Sequence, residues 1–211
     1  EANMLVLEGA TPEQVDGVLY NFGMPMGVIA MGDLAGLDIG YAMRQNLEPG
    51  DYDERASFVY DQLVELGRCG QKTGGGVYDY EPGSRIPIPS PITQKLIVEA
   101  AEKFGIEQRE VSDEEIVERC FLSLFNIGCD VLSEGMAYRA SDIDIVYLNG
   151  YGFPAWRGGP MYWAENTIGL KRALDRINEF AELHGREYWT PSPLLERLVA
   201  EGGSLRDVQN G

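Results

Sequence analysis

Residues 23–27 read Gly-Met-Pro-Met-Gly, and residues 152–161 read Gly-Phe-Pro-Ala-Trp-Arg-Gly-Gly-Pro-Met. An Asp preceded by a β-branched residue comes before each stretch, at Asp16 and at Asp144. The same dipeptides also flank both stretches, in the same order: Glu8-Gly9 and Glu134-Gly135 before them, Gly36-Leu37 and Gly169-Leu170 after them. Because the order is kept and the spacings differ by only a few residues, the pattern predicts two copies of one small fold.

Helix signals dominate both halves and predict an all-α fold class. Thr11-Pro12 supplies a cap residue followed by proline at the first helical position. Ser112 with Glu115 forms a capping box ahead of the longest predicted helix, 113–134. Further helices are predicted at 92–104 and 30–35. The remaining expectations are helix starts at Ser141 and Ser192, a cap at Asp38, and one short strand at 77–80.

A proline-rich segment separates the two halves. Residues 81–91 contain four prolines, which exclude a helix interior and favour an extended linker. We therefore predict a first domain at residues 1–83, a linker at 84–91 and a second domain at 92–211.

Composition excludes several classes of function. A hydrophobic content of 44% with 24% charged residues is typical of a globular protein with a core. A net charge of −17 repels phosphates, so neither nucleic acid nor an anionic membrane is an expected partner. The three cysteines form no C-x-x-C pair, which indicates free thiols in a reducing compartment. We expect a cytoplasmic location.

Several candidate sites fail on spacing. Gly67–Thr73 resembles a phosphate-binding loop, but Gln71 stands between the glycine and Lys72, and no strand precedes it. The glycines at 70–76 predict instead a tight turn with positive φ. His184 is the sole histidine and is expected at a helix C-terminus, so neither a catalytic triad nor a metal site is supported. We predict no catalytic, cofactor-binding or metal-binding residue in this chain.

The Gly-Pro-Met turns leave two interpretations open. Methionine adapts to varied shapes, so Pro25, Met26 and Gly27 could line an apolar ligand pocket. Most apolar residues are core residues, which favours the second interpretation, that the same turns pack the two copies together.

The chain resembles the C-terminal helical domains of L-3-hydroxyacyl-CoA dehydrogenases. The second half is similar to the second such domain of multifunctional fatty-acid oxidation proteins, which join an enoyl-CoA hydratase to the dehydrogenase. The residues that carry the resemblance are 23–27, 33–38, 70–74 and 76–80 in the first half, and 119–120, 134–135, 142–144 and 150–161 in the second half.

The resemblance implies two tandem copies of the 6-phosphogluconate/3-hydroxyacyl-CoA dehydrogenase C-terminal-like domain, with no Rossmann domain in this chain. In that family a Rossmann domain binds NAD and supplies the catalytic His, Glu and Ser, while the helical domain closes over the acyl chain. By this resemblance, an asparagine of the family lies just upstream of Glu1. Its counterpart in the second copy lies near Glu118, so the second copy is expected to have a structural role and no catalytic one.

The resemblance also sets the expected partners. These are an N-terminal Rossmann domain, a hydratase domain and an acyl-CoA substrate, with NAD held by the parent enzyme rather than by this chain. Pro25, Met26 and Gly27 are then expected to border the acyl pocket. An alternative of another class is a free-standing helical interaction or ligand-binding module without a catalytic parent.

Overall fold

The computed structural model describes residues 1–48 and 50–209, which form helices joined by short loops and contain no strand. They fall into two compact units. The first comprises Glu1–Asn21 and Met26–Ile116, and the second comprises Phe22–Pro25 and Val117–Gly211. Among the described residues, no helix combines the length and apolar character that a membrane span requires.

Among the described residues, six α-helices lie in the first part of the chain. They are α1 (Ala2–Leu7), α2 (Pro12–Phe22), α3 (Val28–Ala35), α4 (Leu37–Arg44), α5 (Glu54–Glu65) and α6 (Pro91–Phe104). Six more follow. They are α7 (Asp113–Ser133), α8 (Ala140–Gly150), α9 (Pro160–Trp163), α10 (Leu170–His184), α11 (Arg186–Trp189) and α12 (Pro193–Glu201). A π-helical turn, Ala164–Ile168, continues α9. The all-α prediction is confirmed.

The predicted caps of α2 and α7 are present. The Thr11 hydroxyl accepts a hydrogen bond from the Gln14 amide at 3.1 Å, and the Ser112 hydroxyl accepts one from the Glu115 amide at 3.2 Å. Each bond satisfies one of the donors that a helix leaves unpaired at its start.

Two predicted caps are wrong. α8 begins at Ala140, one residue before Ser141, and the Asp142 carboxylate accepts a hydrogen bond from the Arg139 amide. Asp38 lies in the first turn of α4, where its carboxylate pairs with Lys72 Nζ at 2.5 Å instead of capping the helix. At α8 the capping position thus belongs to Arg139, and at α4 the Asp38 carboxylate has a partner that competes with the predicted cap.

The predicted strand at 77–80 is also wrong, because the structure has only isolated bridges there, between Gly75 and Asp79 and between Asp79 and Ile88. The backbone amides of Val77 and Tyr78 donate to the Asp33 carboxylate rather than to a neighbouring strand. A side chain from α3 therefore takes the donors that a strand ladder would use.

The segment 81–90 contains no helix, as its prolines predict, and α6 begins at Pro91. α6 is grouped with the first compact unit. The domain boundary at 84–91 stays a prediction.

The second unit has an aromatic core. Phe22 stacks on Phe121 with ring centroids 4.2 Å apart and meets Phe153 and Trp163 edge to face at 5.7 and 5.5 Å. Such pairs contribute beyond the area they bury. They hold the loop after α2 against α7.

Candidate functional site

The loop that contains the predicted site residues ends at a capped helix. The Asp16 carboxylate accepts hydrogen bonds from the Ile29 and Ala30 amides at 2.8 and 2.9 Å, at the N-terminus of α3. The Tyr78 hydroxyl donates to the same carboxylate at 2.9 Å. Burial raises the pKa of Asp16, against the opposing effect of these hydrogen bonds.

Gly27 is required by the close approach of Asp16. A Cβ atom at Gly27 would lie 2.1 Å from Asp16 Cγ, a distance that no side chain can occupy. Gly27 thus lets the carboxylate reach the helix terminus, which is a structural role.

A second buried carboxylate fixes the other end of α3. Asp33, only 1% exposed, accepts from the Val77 and Tyr78 amides at 2.8 and 2.9 Å and from the Tyr80 hydroxyl at 3.0 Å. Burial raises the pKa of Asp33 in spite of these donors. The turn before these residues has Gly70 at φ 107°, which confirms the predicted positive φ.

The three predicted site residues are consecutive but differ in environment. Pro25 belongs to the second compact unit, where its ring lies against Gly152: a Cβ built there would be 2.7 Å from Pro25 Cγ. Met26 is 37% exposed, and Gly27 is buried as the N-cap of α3. Pro25 and Met26 are therefore the two of the three with exposed apolar side chains, and Gly27 has none.

α3 also presents an exposed apolar stripe that the sequence analysis missed. Val28, Met31 and Leu34 follow one another at intervals of three residues, and each exposes more than a third of its surface. Residues three apart share one face of a helix. An exposed apolar face is a candidate contact surface. The signal was the spacing of three residues, which the predicted helix at 30–35 did not reveal because it began after Val28.

The second unit repeats the capping arrangement. The Asp144 carboxylate accepts from the Met161 amide at 2.8 Å and from the Tyr162 amide at 3.3 Å, at the start of α9. A Cβ at Gly159 would lie 2.3 Å from Asp144 Oδ1, as one at Gly27 would crowd Asp16. Burial raises the pKa of Asp144 to about 6.

The counterpart of Asp33 is Glu165, six residues after Gly159 just as Asp33 is six after Gly27. Its carboxylate accepts from the Leu205 amide and the Ser204 hydroxyl, both at 2.8 Å. From Gly159 to Gly169 the chain has one residue more than from Gly27 to Gly36. The π-helical turn at Ala164–Ile168 accommodates such an extra residue within a helix.

Glu118 lies in an ion-pair cluster. Its buried carboxylate accepts from Arg176 Nε at 2.6 Å and lies 3.4 Å from Arg172 Nη2, both on α10. A buried charge is tolerated when it is paired and hydrogen-bonded in this way. The resemblance placed the counterpart of a catalytic asparagine near this position, and the carboxylate found there is already engaged.

The remaining candidates have structural environments. His184 is the last residue of α10, as predicted. Lys72 pairs with Asp38, and the hydrogen bond from Lys72 lowers the pKa of that carboxyl. No disulfide joins the three cysteines, all of which lie among the described residues, and burial raises the pKa of Cys129, which makes its thiolate rarer.

Replacing Asp144 with asparagine should flatten the pH dependence of stability between about pH 4 and about pH 6. The pKa of Asp144 rises from its ordinary 3.8 to about 6 on folding. In this window the folded form keeps a proton that the unfolded chain has lost. The free energy of unfolding therefore falls as pH rises, by up to about 1.4 kcal/mol per pH unit.

The free energy of unfolding in urea is measured from pH 4 to 7 for the wild type and for Asp144→Asn. The difference between the two proteins isolates Asp144, because the contributions of the other carboxyl groups cancel. The difference should change through the window and become constant above it. Parallel curves for the two proteins would contradict the burial argument.

Known proteins are similar to this chain in sequence and in fold. The sequence profile of the 3-hydroxyacyl-CoA dehydrogenase C-terminal domain matches residues 1–80 and 116–211. The peroxisomal bifunctional enzyme of Danio rerio is 41% identical over 216 residues, which cover 96% of this chain and 30% of that protein. The human peroxisomal bifunctional enzyme is 39% identical, with the same coverage.

A peroxisomal fatty acid beta-oxidation multifunctional protein of Arabidopsis thaliana is 37% identical over 99% of this chain and 29% of its own length. The chain thus spans about 30% of the relatives it matches. Two solved structures share the fold. The dehydrogenase part of multifunctional enzyme 1 from C. elegans has a TM-score of 0.70 at 22% identity, covering 93% of this chain and 44% of that one. The 3-hydroxybutyryl-CoA dehydrogenase of Escherichia coli has a TM-score of 0.66 at 20% identity, covering 92% and 56%.

The expected cytoplasmic location is wrong. The animal and plant relatives are named as peroxisomal or glyoxysomal enzymes, which points to peroxisomes. The cysteine pattern indicates a reducing compartment, but it does not identify the organelle in which the protein lies.

The profile match covers well over half of the chain, and the three relatives with quoted identities are 37% to 41% identical across nearly all of it. The helical fold agrees with both. The chain belongs to the 3-hydroxyacyl-CoA dehydrogenase C-terminal domain family.

Proposed function

We propose that this chain is the helical C-terminal portion of an NAD-dependent L-3-hydroxyacyl-CoA dehydrogenase of peroxisomal fatty-acid β-oxidation. The observation that carries the proposal is the family match on both parts of the chain. Relatives named as bifunctional or multifunctional β-oxidation enzymes support it. The alternative of a free-standing module loses support, since the matched relatives are more than three times as long as the aligned region.

The dehydrogenase family implies NAD in the whole enzyme, and we assign its binding to polypeptide outside this chain. A dinucleotide site needs a strand, a glycine-rich turn and a helix N-terminus. The described residues, 1–48 and 50–209, contain no strand. A net charge of −17 also suits neither NAD nor coenzyme A, both of which are anionic.

The part of the reaction that we assign to this chain is to enclose the acyl group. Pro25, Met26 and Gly27 would border the acyl pocket, and the stripe of Val28, Met31 and Leu34 would extend its apolar wall. Asp16 and Asp33 hold α3 at both ends, so this wall is rigid. Apolar walls exclude water and strengthen the electrostatic interactions at the reacting carbon.

We assign a structural role to the second copy of a tandem pair. The shared capping of Asp16 and Asp144 supports the duplication. The glycine–proline contacts of the two loops are also reciprocal: Gly23 lies against Pro154, and Gly152 lies against Pro25. The engaged carboxylate of Glu118 is consistent with a copy that performs no chemistry.

The partners in this account belong to the same polypeptide. They are an N-terminal Rossmann domain, which would carry the catalytic His, Glu and Ser, and a hydratase domain that would supply the 3-hydroxyacyl-CoA. Because the chain aligns with only about 30% of each relative's length, the rest of each relative is long enough to contain both domains.

Met26→Asp in the full-length enzyme tests the pocket. A charge against the acyl chain should raise KM for long-chain L-3-hydroxyacyl-CoA by about tenfold and leave a four-carbon substrate nearly unchanged. NADH formation is measured across chain lengths. Leu66→Asp is the matched control, because Leu66 is an exposed apolar residue, at 61%, outside the loop and α3. Equal KM values for both variants on every substrate would reject the pocket role.

A further inference from the structure

An exposed tryptophan and a half-buried arginine are neighbours in the second unit. Trp156 and Arg157 belong to a 3₁₀-helical turn, Ala155–Arg157, between α8 and α9. Trp156 is 73% exposed, whereas Trp163 and Trp189 are 2% and 0% exposed. Because tryptophan is highly buried on average in folded proteins, an indole ring left in solvent is a candidate contact surface.

Three contacts hold the guanidinium group of Arg157 in place. Its Cζ atom lies 3.8 Å from the ring centroid of Phe22 and 4.0 Å from the ring centroid of Trp156. Its Nε donates a hydrogen bond to the Phe22 carbonyl at 2.8 Å, at the end of α2. This bond uses one of the five guanidinium donors. The other four, on Nη1 and Nη2, have no acceptor within the described part of the chain.

Arg157 also differs from other partly buried arginines in its charge environment. Arg44, Arg68 and Arg176, whose side chains are 15% to 25% exposed, each form an ion pair with an aspartate or a glutamate. Desolvation lowers the pKa of Arg157, and no carboxylate among the described residues opposes that effect. A partly desolvated charge without a counter-charge is unfavourable, so this guanidinium is suited to an anion that a ligand supplies.

The two side chains together define a class of ligand. The planar guanidinium fork binds phosphate oxygens in pairs, and the exposed indole face stacks on flat rings such as nucleobases. Coenzyme A, which the substrate of the proposed reaction carries, has both groups on one sugar, because its adenosine bears a 3′-phosphate. A phosphate monoester also carries more charge than the diphosphate bridge of NAD.

We propose that Trp156 and Arg157 bind the 3′-phosphoadenosine part of coenzyme A: adenine stacks on the indole, and the 3′-phosphate accepts hydrogen bonds from Nη1 and Nη2. The choice of coenzyme A rests on the proposed function, in which the substrate is a coenzyme A thioester. The site adds a ligand-binding role to the structural role of the second copy. Since a net charge of −17 repels anions in general, the binding is weak, with a Kd of about 0.1 to 1 mM.

Tryptophan fluorescence of this chain tests the site with two probes. The probes are coenzyme A and dephospho-coenzyme A, which lacks only the 3′-phosphate. Adenine stacked on an indole quenches its emission, and Trp156 is the one exposed tryptophan of the three. Trp156→Phe is therefore expected to abolish the quenching by either probe, because the two remaining tryptophans are buried.

Arg157→Gln tests the phosphate contact, and Arg197→Gln is its matched control. Arg197 is an exposed arginine on α12 in the same unit, so both variants change the net charge equally. The wild type should bind coenzyme A about tenfold more tightly than dephospho-coenzyme A. Arg157→Gln should remove this difference by weakening the binding of coenzyme A alone, while Arg197→Gln should change either Kd by less than about twofold.

Equal binding of the two probes by the wild type would overturn the proposal, and this comparison holds even if Arg157→Gln does not fold. An absence of quenching by coenzyme A, quenching that persists in Trp156→Phe, or equal effects of Arg157→Gln and Arg197→Gln would also overturn it. Dehydrogenase activity of the full-length wild type, assayed separately, tests the proposed function, so the two failures are distinguishable.

Discussion

Replacing Asp33 with alanine is expected to lower the free energy of unfolding of the first unit by about 3 kcal/mol. The substitution removes the acceptor of three buried hydrogen bonds, from the Val77 amide, the Tyr78 amide and the Tyr80 hydroxyl. A donor that is left unpaired in a buried site destabilises the fold by its full desolvation free energy. This loss of stability is larger than the stability gained because the Asp33 carboxylate, whose pKa burial already raises, is no longer buried.

Urea unfolding followed by far-ultraviolet circular dichroism measures the effect. The three tryptophans all lie after residue 155, in the second unit, so their fluorescence should report a largely unchanged transition. Asp38→Ala is the matched control on the neighbouring helix, because the Asp38–Lys72 pair is exposed. If Asp33→Ala unfolded at the same urea concentration as the wild type, the carboxylate would not anchor residues 77–80.

Replacing Gly159 with alanine is expected to lower the stability of the second unit by more than about 3 kcal/mol. The backbone at Gly159 has a φ of 106°, and the new Cβ would lie 2.3 Å from Asp144 Oδ1. Alanine would therefore be strained at its own backbone and would also displace the carboxylate that caps α9.

Gly169→Ala separates these two causes. Gly169 has a comparable φ of 91°, but a Cβ there meets nothing within 4 Å. It should cost only the backbone strain, about 1 kcal/mol. Tryptophan fluorescence during urea unfolding reports both variants, since Trp163 lies in α9. Equal losses for the two variants would mean that the Asp144 contact contributes nothing.

Local signals in the sequence identified most helices. Thr11 and Ser112 act on amides three residues away, so a short window contains the whole interaction. The strand predicted at 77–80 failed because its amides bind Asp33, which lies more than forty residues earlier. No local pattern encodes that contact.

The candidate site, too, could be predicted from the sequence only in part. Glycines at 23, 27 and 159 were visible as a repeated pattern, but their reason was not: each makes room for a side chain distant in sequence. The neutralising partners of Glu118 come from α10, more than fifty residues away, and were equally invisible. The exposure of Val28, Met31 and Leu34 depends on which face of α3 packs inward, which their apolar character alone does not determine.

The central claim is that this chain supplies helical walls while the redox machinery lies elsewhere on a longer polypeptide. The most direct measurement is NADH formation from L-3-hydroxyacyl-CoA, assayed with the full-length protein and with this chain at equal molar concentration. The account predicts turnover by the full-length protein and none by the chain alone. Turnover by the chain alone, or an inactive but folded full-length protein, would contradict it.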